Sequence, residues 1–160
     1  MRQQQHWLNK QEAHVWRSFL DLRRRIESVI NQQLGEDAGL SSVDYELLVP
    51  LSESPDGVLR ARDLGRMVGW ERSRLSHQVR RMEQRGLVTR EDCATDARGS
   101  MIRLSPEGRA AITAAAPEHV KVVRRYFLDS LTQEEIAALA AIYDRLLAKI
   151  DSDHPGTGTR

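Results

Sequence analysis

The sequence predicts a mostly α-helical protein with a small β-hairpin wing: a winged helix-turn-helix flanked by long N- and C-terminal helices. Three observations support this fold class. Apolar residues repeat with helical spacing through most of the chain, a short helix and a basic helix meet at the corner Gly69-Trp70-Glu71, and an alternating segment then leads into a hairpin. Elements in this order form a compact unit that can lay one helix in the major groove of DNA.

Length and composition restrict the class of protein before any motif is considered. At 160 residues, with 40% hydrophobic and 29% charged residues, the chain is long enough to bury a core of ordinary size. No apolar run approaches the roughly 20 residues of a membrane span, and the N-terminus lacks the apolar core of a secretory signal. The single cysteine, Cys93, excludes an internal disulfide. We therefore expect a cytoplasmic protein without membrane contact.

Charge is unevenly distributed along the chain. The formal net charge is only +1, but segment 60–109 carries twelve arginines, no lysine and seven acidic residues, while the rest of the chain is net acidic. A GC-rich genome would explain the preference for arginine over lysine, but it would not explain the clustering. The basic middle of the chain therefore indicates a segment that meets a polyanion.

The sequence offers little support for catalysis. Its five histidines are scattered, and no Ser/His/Asp or Cys/His set can be assembled from the pattern. Gly65, Gly69 and Gly86 fall at helix-packing and corner positions, and none belongs to a phosphate-binding loop. We expect a protein that is not an enzyme and that holds neither a metal nor a cofactor.

A long helix is expected at the start of the chain, from about Leu8 to Leu34, with Gly35 and Gly39 at its end. Its apolar residues form a narrow stripe, and its opposite face is strongly charged. A helix this long with so narrow a stripe requires another helix, which a second copy of the chain could supply. The stripe consists of Leu8, Val15, Phe19, Leu22, Ile26 and Val29.

Capping residues divide the rest of the chain into further helices. Ser41 and Thr132 have the spacing of capping boxes, and Ser105 precedes a first-turn proline. Pro117 falls within a helical pattern, where we expect a kink or a new start. The pattern predicts six helices. It divides the chain into a dimerisation region at 1–38 and 109–152, a winged helix-turn-helix domain at 39–108, and a disordered tail at 153–160.

The helix predicted at Arg72–Arg85 carries two distinct faces. Leu75, Val79 and Met82 should pack on the preceding short helix, Arg62–Val68. The opposite face, which includes Gln84 and Arg81, combines side chains that read base edges with side chains that bind phosphates. The candidate DNA-binding residues on this helix are Arg72, Ser73, Arg74, Ser76, His77 and Arg80.

The hairpin that follows has the form of a wing. Its strands, around Leu87–Glu91 and Met101–Leu104, are joined by a polar loop far longer than a two-residue turn. Arg98 in this loop is placed to reach an adjacent minor groove, and Asp96 is placed to bond its guanidinium and fix its direction. A solvated surface loop is the alternative.

Four short motifs, taken together, are specific enough to identify a family. They are Ser73-Arg74-Leu75-Ser76, Met82-Glu83-Gln84-Arg85-Gly86-Leu87-Val88, Asp96-Ala97-Arg98 and Leu104-Ser105-Pro106-Glu107-Gly108. The combination resembles the MarR family of bacterial regulators, and the resemblance extends over nearly the whole chain. It departs from the family pattern at Arg60 and Glu71, where a hydroxyl residue is usual.

This resemblance implies a homodimer that binds a pseudo-palindromic operator in double-stranded DNA, with recognition helices in successive major grooves about 34 Å apart. It implies a bacterial repressor, nucleoid-associated when bound, and it matches Asp96 and Arg98 to the wing-tip pair of the family. The operator sequence, the regulated genes and the sign of regulation are not contained in the protein sequence.

Family resemblance also implies control by a small ligand, often aromatic or phenolic, bound between the dimerisation helices and the winged domain. Residues that combine ring faces with polar tips are the weak candidates to line this cleft. They are Trp7, His14, Trp16, Arg17 and Tyr45.

Two alternatives concern how the protein acts. A winged helix can serve as a protein–protein interaction module, although the stripe Ser73–Gln84 lacks the aromatic and aliphatic residues such a contact uses. Cys93 could sense oxidants, although Glu91 and Asp92 beside it should disfavour the reactive thiolate.

Overall fold

The computed structural model describes residues 7–92 and 99–154, which form six α-helices and a three-stranded antiparallel sheet. The helices are α1 (Lys10–Ala38), α2 (Ser42–Glu53), α3 (Ala61–Met67), α4 (Arg72–Gln84), α5 (Pro106–Val123) and α6 (Gln133–Asp153). The strands are β1 (Val58–Arg60), β2 (Val88–Asp92) and β3 (Ser100–Leu104), and a π-helical turn (Arg124–Leu128) directly follows α5. The predicted winged helix-turn-helix with long flanking helices is confirmed.

The sheet contains one strand more than the predicted hairpin. β3 pairs with β2 on one side and with β1 on the other, so that Ile102 lies between Leu59 and Arg90. β1 has only three residues, too few for an alternating pattern to reveal it in the sequence. It joins the wing to the start of α3, which begins at the next residue.

The hydrophobic core lies within the winged domain. The underside of α4, the inward positions of the wing and the first half of α5 pack against α2 and α3, as the sequence pattern predicts for Leu75, Val79, Met82 and Ile102. α1 adds a single fully covered leucine, Leu34, and α6 buries none of its residues. The winged region thus supplies most of the buried core, whereas α1 and α6 keep most of their apolar faces exposed.

The C-terminal end of α4 is fixed by a Schellman motif. Gly86 adopts a left-handed conformation with φ of 73°, and its amide donates to the carbonyl of Glu83. The amide of Leu87 donates to the carbonyl of Met82 at 3.0 Å. Because Leu87 is buried, this motif sets both where α4 ends and the direction in which β2 leaves it.

The start of α5 is anchored to this same corner. The hydroxyl of Ser105 accepts from the Gly108 amide at 2.9 Å and donates to the Gly86 carbonyl at 2.6 Å. Gly108 packs so closely that a Cβ there would lie 2.0 Å from the carbonyl oxygen of Leu87. The predicted N-cap at Ser105 is confirmed, and it also ties α5 to the end of α4.

A buried carboxylate connects the beginning of α2 to α4. Asp44 is fully buried, and its oxygens accept from the Ser41 amide at 2.9 Å, from the Gln78 amide group at 2.8 Å and from the Arg85 guanidinium at 2.7 Å. The same guanidinium donates to the carbonyl of Gly39, just past α1. Burial raises the pKa of the Asp44 carboxyl, but the hydrogen bonds from Ser41 and Arg85 outweigh it and hold the pKa below its usual value.

Two of the predicted helix ends were wrong. α1 runs through Gly35 to Ala38, because one interior glycine costs only about 1 kcal/mol of helix propensity and the chain turns only at Gly39, with φ of 61°. α6 extends to Asp153, one residue into the predicted tail; residues 155–160 lie outside the described part of the chain.

Of the kink or restart predicted at Pro117, the restart was wrong. α5 continues through this residue, which lies on the exposed side of the helix among alanines that favour it. The irregularity occurs instead at the π-helical turn, where the Asp129 amide donates to the Arg124 carbonyl at 2.7 Å.

The Asp44 network should control stability. Asp44→Asn should lower the free energy of unfolding by about 2–3 kcal/mol near neutral pH, less than for a fully buried ion pair because Arg85 is partly exposed to water. Since the folded-state pKa of Asp44 lies below its unfolded value, this difference should be complete above the unfolded pKa and disappear as the pH falls through the folded one. Urea denaturation at several pH values measures both effects.

The matched control is Asp21→Asn on α1, which breaks exposed ion pairs to Arg24 and Arg25. Exposed pairs contribute at most about 1 kcal/mol, so the free energy of unfolding of this variant should be close to that of the wild type. Equal destabilisation by the two variants would contradict the assigned role of Asp44.

Candidate nucleic-acid interface

α4 presents a continuous polar face to solvent. Its underside buries Leu75, Gln78, Val79 and Met82, and this holds the helix rigidly against the core. All six candidate residues on the helix are exposed, together with Arg81 and Gln84. The predicted separation into a packed face and a free face is present.

The first turn of α4 concentrates positive charge. It contains Arg72 and Arg74 and no acidic residue, and Glu71 at the N-cap makes no capping hydrogen bond. Cations are disfavoured at the positive end of the helix macrodipole, so this arrangement costs stability in the isolated protein. A departure from helix-capping rules of this kind, on an exposed helix, is typical of a functional surface.

Trp70 lies beside this turn. Its ring packs on the core, and the Cζ atom of Arg74 lies over the ring, 4.0 Å from its centroid. This distance is within the range of a cation–π contact. The sequence identifies Trp70 only as a packing residue at the corner, because nothing in its spacing reveals which side chain covers its ring.

A groove of about 480 Å³ separates α3 and α4 from the wing. Four arginines lie along its walls, and one of them, Arg90, donates to the carbonyl of Ser76 at 3.5 Å. Three of the four were not selected from the sequence as site residues, because β1 and the outward position of Arg90 on β2 bring them to the groove. The four arginines are Arg60, Arg62, Arg72 and Arg90.

The base of the wing is braced by an ion pair across its two strands. Arg103 donates to both carboxylate oxygens of Glu91, at 2.7 and 3.2 Å, which holds the pKa of Glu91 below its usual value. Asp96, Arg98 and Cys93 lie outside the described residues, so the wing-tip and oxidant-sensing assignments remain predictions.

The candidate ligand residues lie apart from one another on two surfaces. Trp7, His14, Trp16 and Arg17 are exposed in or just before the N-terminal half of α1. Tyr45 on α2 is half-buried, with its ring centroid 4.4 Å from that of His119 on α5. Burial raises the pKa of Tyr45 and lowers the pKa of His119.

A cavity of about 450 Å³ lies between α1, α2, α5 and the π-helical turn. Its lining is mainly apolar and aromatic, and the ionisable side chains Arg23, Glu27 and Glu46 stand among these residues. None of the candidate ligand residues lines it. The apolar and aromatic lining residues include Phe19, Leu22, Ile26, Ile30, Val122, Tyr126, Phe127 and Tyr143.

The long helices leave large apolar side chains uncovered. Residues 140–150 of α6 are all exposed, and they include an apolar stripe on one face. α1 exposes a comparable stripe over its N-terminal half. The exposed apolar residues on the two helices include Val15, Trp16, Phe19, Leu22, Ile142, Tyr143, Leu146, Leu147 and Ile150, and Leu8 just before α1 is also exposed.

The described residues contain neither a membrane-spanning helix nor a metal-binding cluster. No helix in these ranges combines the length and apolar character needed to span a membrane. Within the same ranges, no group of three or more His, Cys, Asp or Glu residues is arranged to hold a metal ion.

Comparison with known proteins agrees with this geometry. A model of the MarR family matches residues 38–99. Sco3205, a MarR family transcriptional regulator from Streptomyces coelicolor whose structure is a complex with DNA, is 40% identical, with 92% of each chain covered and a TM-score of 0.85. AbsC, another MarR family transcriptional regulator from S. coelicolor, is 36% identical, with 92% of this chain and 99% of AbsC covered and a TM-score of 0.87.

A third relative is more distant. The PcaV transcriptional regulator from S. coelicolor, in complex with its natural ligand, is 26% identical, with 78% of this chain and 88% of PcaV covered and a TM-score of 0.66. The fold and the exposed basic helix define a winged helix-turn-helix protein of the transcription-regulator class. The chain belongs to the MarR family of transcriptional regulators.

Proposed function

We propose that this protein is a dimeric transcriptional regulator that recognises a pseudo-palindromic operator in double-stranded DNA and represses transcription by occluding a promoter. α4 is the recognition helix, and Ser73, His77 and Arg80 on its exposed face read base edges. Arg72, Arg74 and Ser76 bind phosphates or neighbouring bases, and Asp96 and Arg98 act at the wing tip.

The observation that carries this proposal is the free polar face of α4 above a fully packed underside. Within the described part of the chain, Arg80 has neither an ion-pair nor a hydrogen-bond partner, so its donors are available to a duplex. The complex of the related Sco3205 with DNA supports the same use of the fold. The polar character of the face argues against a protein–protein module, whose contact surface would be richer in aromatic residues.

Arg80→Ala should weaken binding by about 1–3 kcal/mol, because a bidentate contact to a base edge is lost. Binding is measured by electrophoretic mobility shift across a range of salt, with a duplex that the wild-type protein selects from random-sequence DNA. The control, Arg24→Ala, removes the same charge from the exposed face of α1. Similar losses in both variants would show that only net charge matters and would reject α4 as the reading element.

The uncovered faces of α1 and α6 support the proposed dimer. Their apolar stripes would expose a large hydrophobic surface to water, and a second copy of the chain presents the same stripes in return. In this proposal, regions 1–38 and 109–152 are the dimerisation region, and residues 39–108 are the DNA-binding domain. Two-fold symmetry then presents two α4 helices to successive major grooves.

Leu146→Glu combined with Ile150→Glu should convert the dimer into a monomer and abolish tight operator binding. The two charges would fall within the apolar stripe, where no partner charge compensates their burial. Sedimentation equilibrium measures the mass. Ala148→Glu, on the opposite face of α6, is the control and should remain dimeric. A wild-type protein that sediments as a monomer at micromolar concentration would exclude the dimer.

The cavity beside the π-helical turn favours a ligand-responsive regulator. Residues of both the long helix α1 and α2 of the winged domain line it. A ligand bound there would therefore favour one orientation of α1 relative to the winged domain. Its apolar and aromatic lining suits a small aromatic molecule, and Arg23, Glu27 and Glu46 can bond polar groups on the ring. The complex of PcaV with its natural ligand supports this proposal.

A panel of simple phenols and aromatic carboxylates should contain compounds that raise the melting temperature of the protein and lower its affinity for the selected duplex. Val122→Trp, which places a bulky ring in the cavity, should weaken both effects, because the ligand then has less space. His14→Ala should leave them unchanged, since His14 lies on the exposed surface of α1. The reverse pattern would move the ligand site to the residues predicted from the sequence, His14 among them.

A further inference from the structure

We propose that Trp70 is a positioning residue for DNA binding: its indole ring holds the Arg74 guanidinium in place before the duplex arrives. This inference rests on the proposed function, since it assigns Arg74 to the DNA contact. The primary observation is the position of the Arg74 Cζ atom over the ring, 4.0 Å from the centroid. The ring itself is half-buried and packs on the core, so it forms a fixed support for a mobile side chain.

The backbone at Trp70 fixes the ring further. Its amide donates to the Gly65 carbonyl at 2.8 Å, which ties the corner to the middle of α3. Relative to α4, Trp70 and Leu75 occupy the N′ and N4 positions of a hydrophobic staple, and Leu75 is buried. The support for Arg74 is therefore connected to the same core that holds α4.

Three other arginines of the winged region are held by carboxylates instead. Arg85 is held by Asp44, Arg103 by Glu91 and Arg66 by Asp63, and each of these pairs has little net charge. An aromatic ring brings no formal negative charge, so the stacked Arg74 retains its full positive charge toward a polyanion. Within the described part of the chain, no hydrogen bond or ion pair occupies its guanidinium.

This arrangement reduces the entropic cost of binding. A freely rotating arginine loses rotamer freedom when it docks on a phosphate or a guanine, and this loss opposes binding. A guanidinium already stacked on Trp70 has lost part of that freedom in the unbound protein. Ordering part of one arginine side chain in advance should therefore raise affinity about two- to fivefold.

A double-mutant cycle tests the proposal, with the duplex that the wild-type protein selects from random-sequence DNA. Trp70→Leu, which keeps an apolar residue for the staple, should weaken binding about two- to fivefold when Arg74 is present. In the Arg74→Ala background, the same change should have almost no further effect. Trp70→Phe, which keeps a ring face, should remain near wild-type affinity in either background.

Other results would overturn the assignment. Equal losses from Trp70→Leu in both backgrounds would show that Trp70 only packs, as would equal losses from Trp70→Leu and Trp70→Phe. If Arg74→Ala leaves binding unchanged while Arg80→Ala weakens it, the proposed function stands and the role of Trp70 fails. A wild-type protein that selects no duplex would refute the proposed function itself.

A spectroscopic measurement keeps the proposal testable if Trp70→Leu does not fold. With Trp7→Phe and Trp16→Phe in place, Trp70 is the only tryptophan in the chain. Adding Arg74→Ala should shift its fluorescence emission in the folded, DNA-free protein, because a cation leaves the face of the indole. An unchanged spectrum would show that the stack does not exist in solution.

Discussion

The hydrogen-bonded carboxylate of Asp44 is the interaction on which the rest of the structure depends. It accepts from α2 through Ser41 and from α4 through Gln78 and Arg85, and Arg85 also reaches the carbonyl of Gly39. The end of α1, the start of α2 and both the middle and the end of α4 thus meet at one buried charge. An unpaired charge in this position would be very costly, so the helices have little freedom to slide relative to one another.

This constraint separates the two faces of α4. The underside is fixed by apolar contacts and by Gln78, and the end is fixed by the left-handed Gly86. The upper face therefore tolerates residues that would be poor choices in an ordinary helix, such as two arginines in the first turn. Stability comes from the packed face, and the free face is available for binding, a division expected at a functional surface.

The flanking helices differ from the winged domain in how much of their apolar surface is covered. α2, α3, α4 and the wing satisfy their apolar surface within one chain, but α1 and α6 do not. Their exposed stripes have the spacing of helix-packing faces. In our proposal, the same stripes of a second copy of the chain cover them. The cavity beside the π-helical turn lies where these incompletely covered helices meet the compact domain, so a ligand there would act on the least constrained junction of the molecule.

Local signals in the sequence determined most of the fold. The caps Ser41, Ser105 and Thr132 and the buried positions of α4 were all readable because each depends on residues only a few positions apart. The polar face of α4 was readable for the same reason. Proline and glycine were less reliable guides: α5 continues through Pro117 and α1 through Gly35, because a favourable helix absorbs the cost of one breaker.

The tertiary structure decided what depends on long-range contact. β1 is too short to have a sequence pattern and exists only because β3 offers it a partner. The capping residue Asp44 is recognisable within its own helix, but its bond to Arg85 joins residues 41 positions apart. The stacking of Arg74 on Trp70 and the lining of the cavity depend likewise on side-chain positions in space. Helical periodicity depends on residues that are close in the sequence, whereas these contacts form only when separate elements have packed.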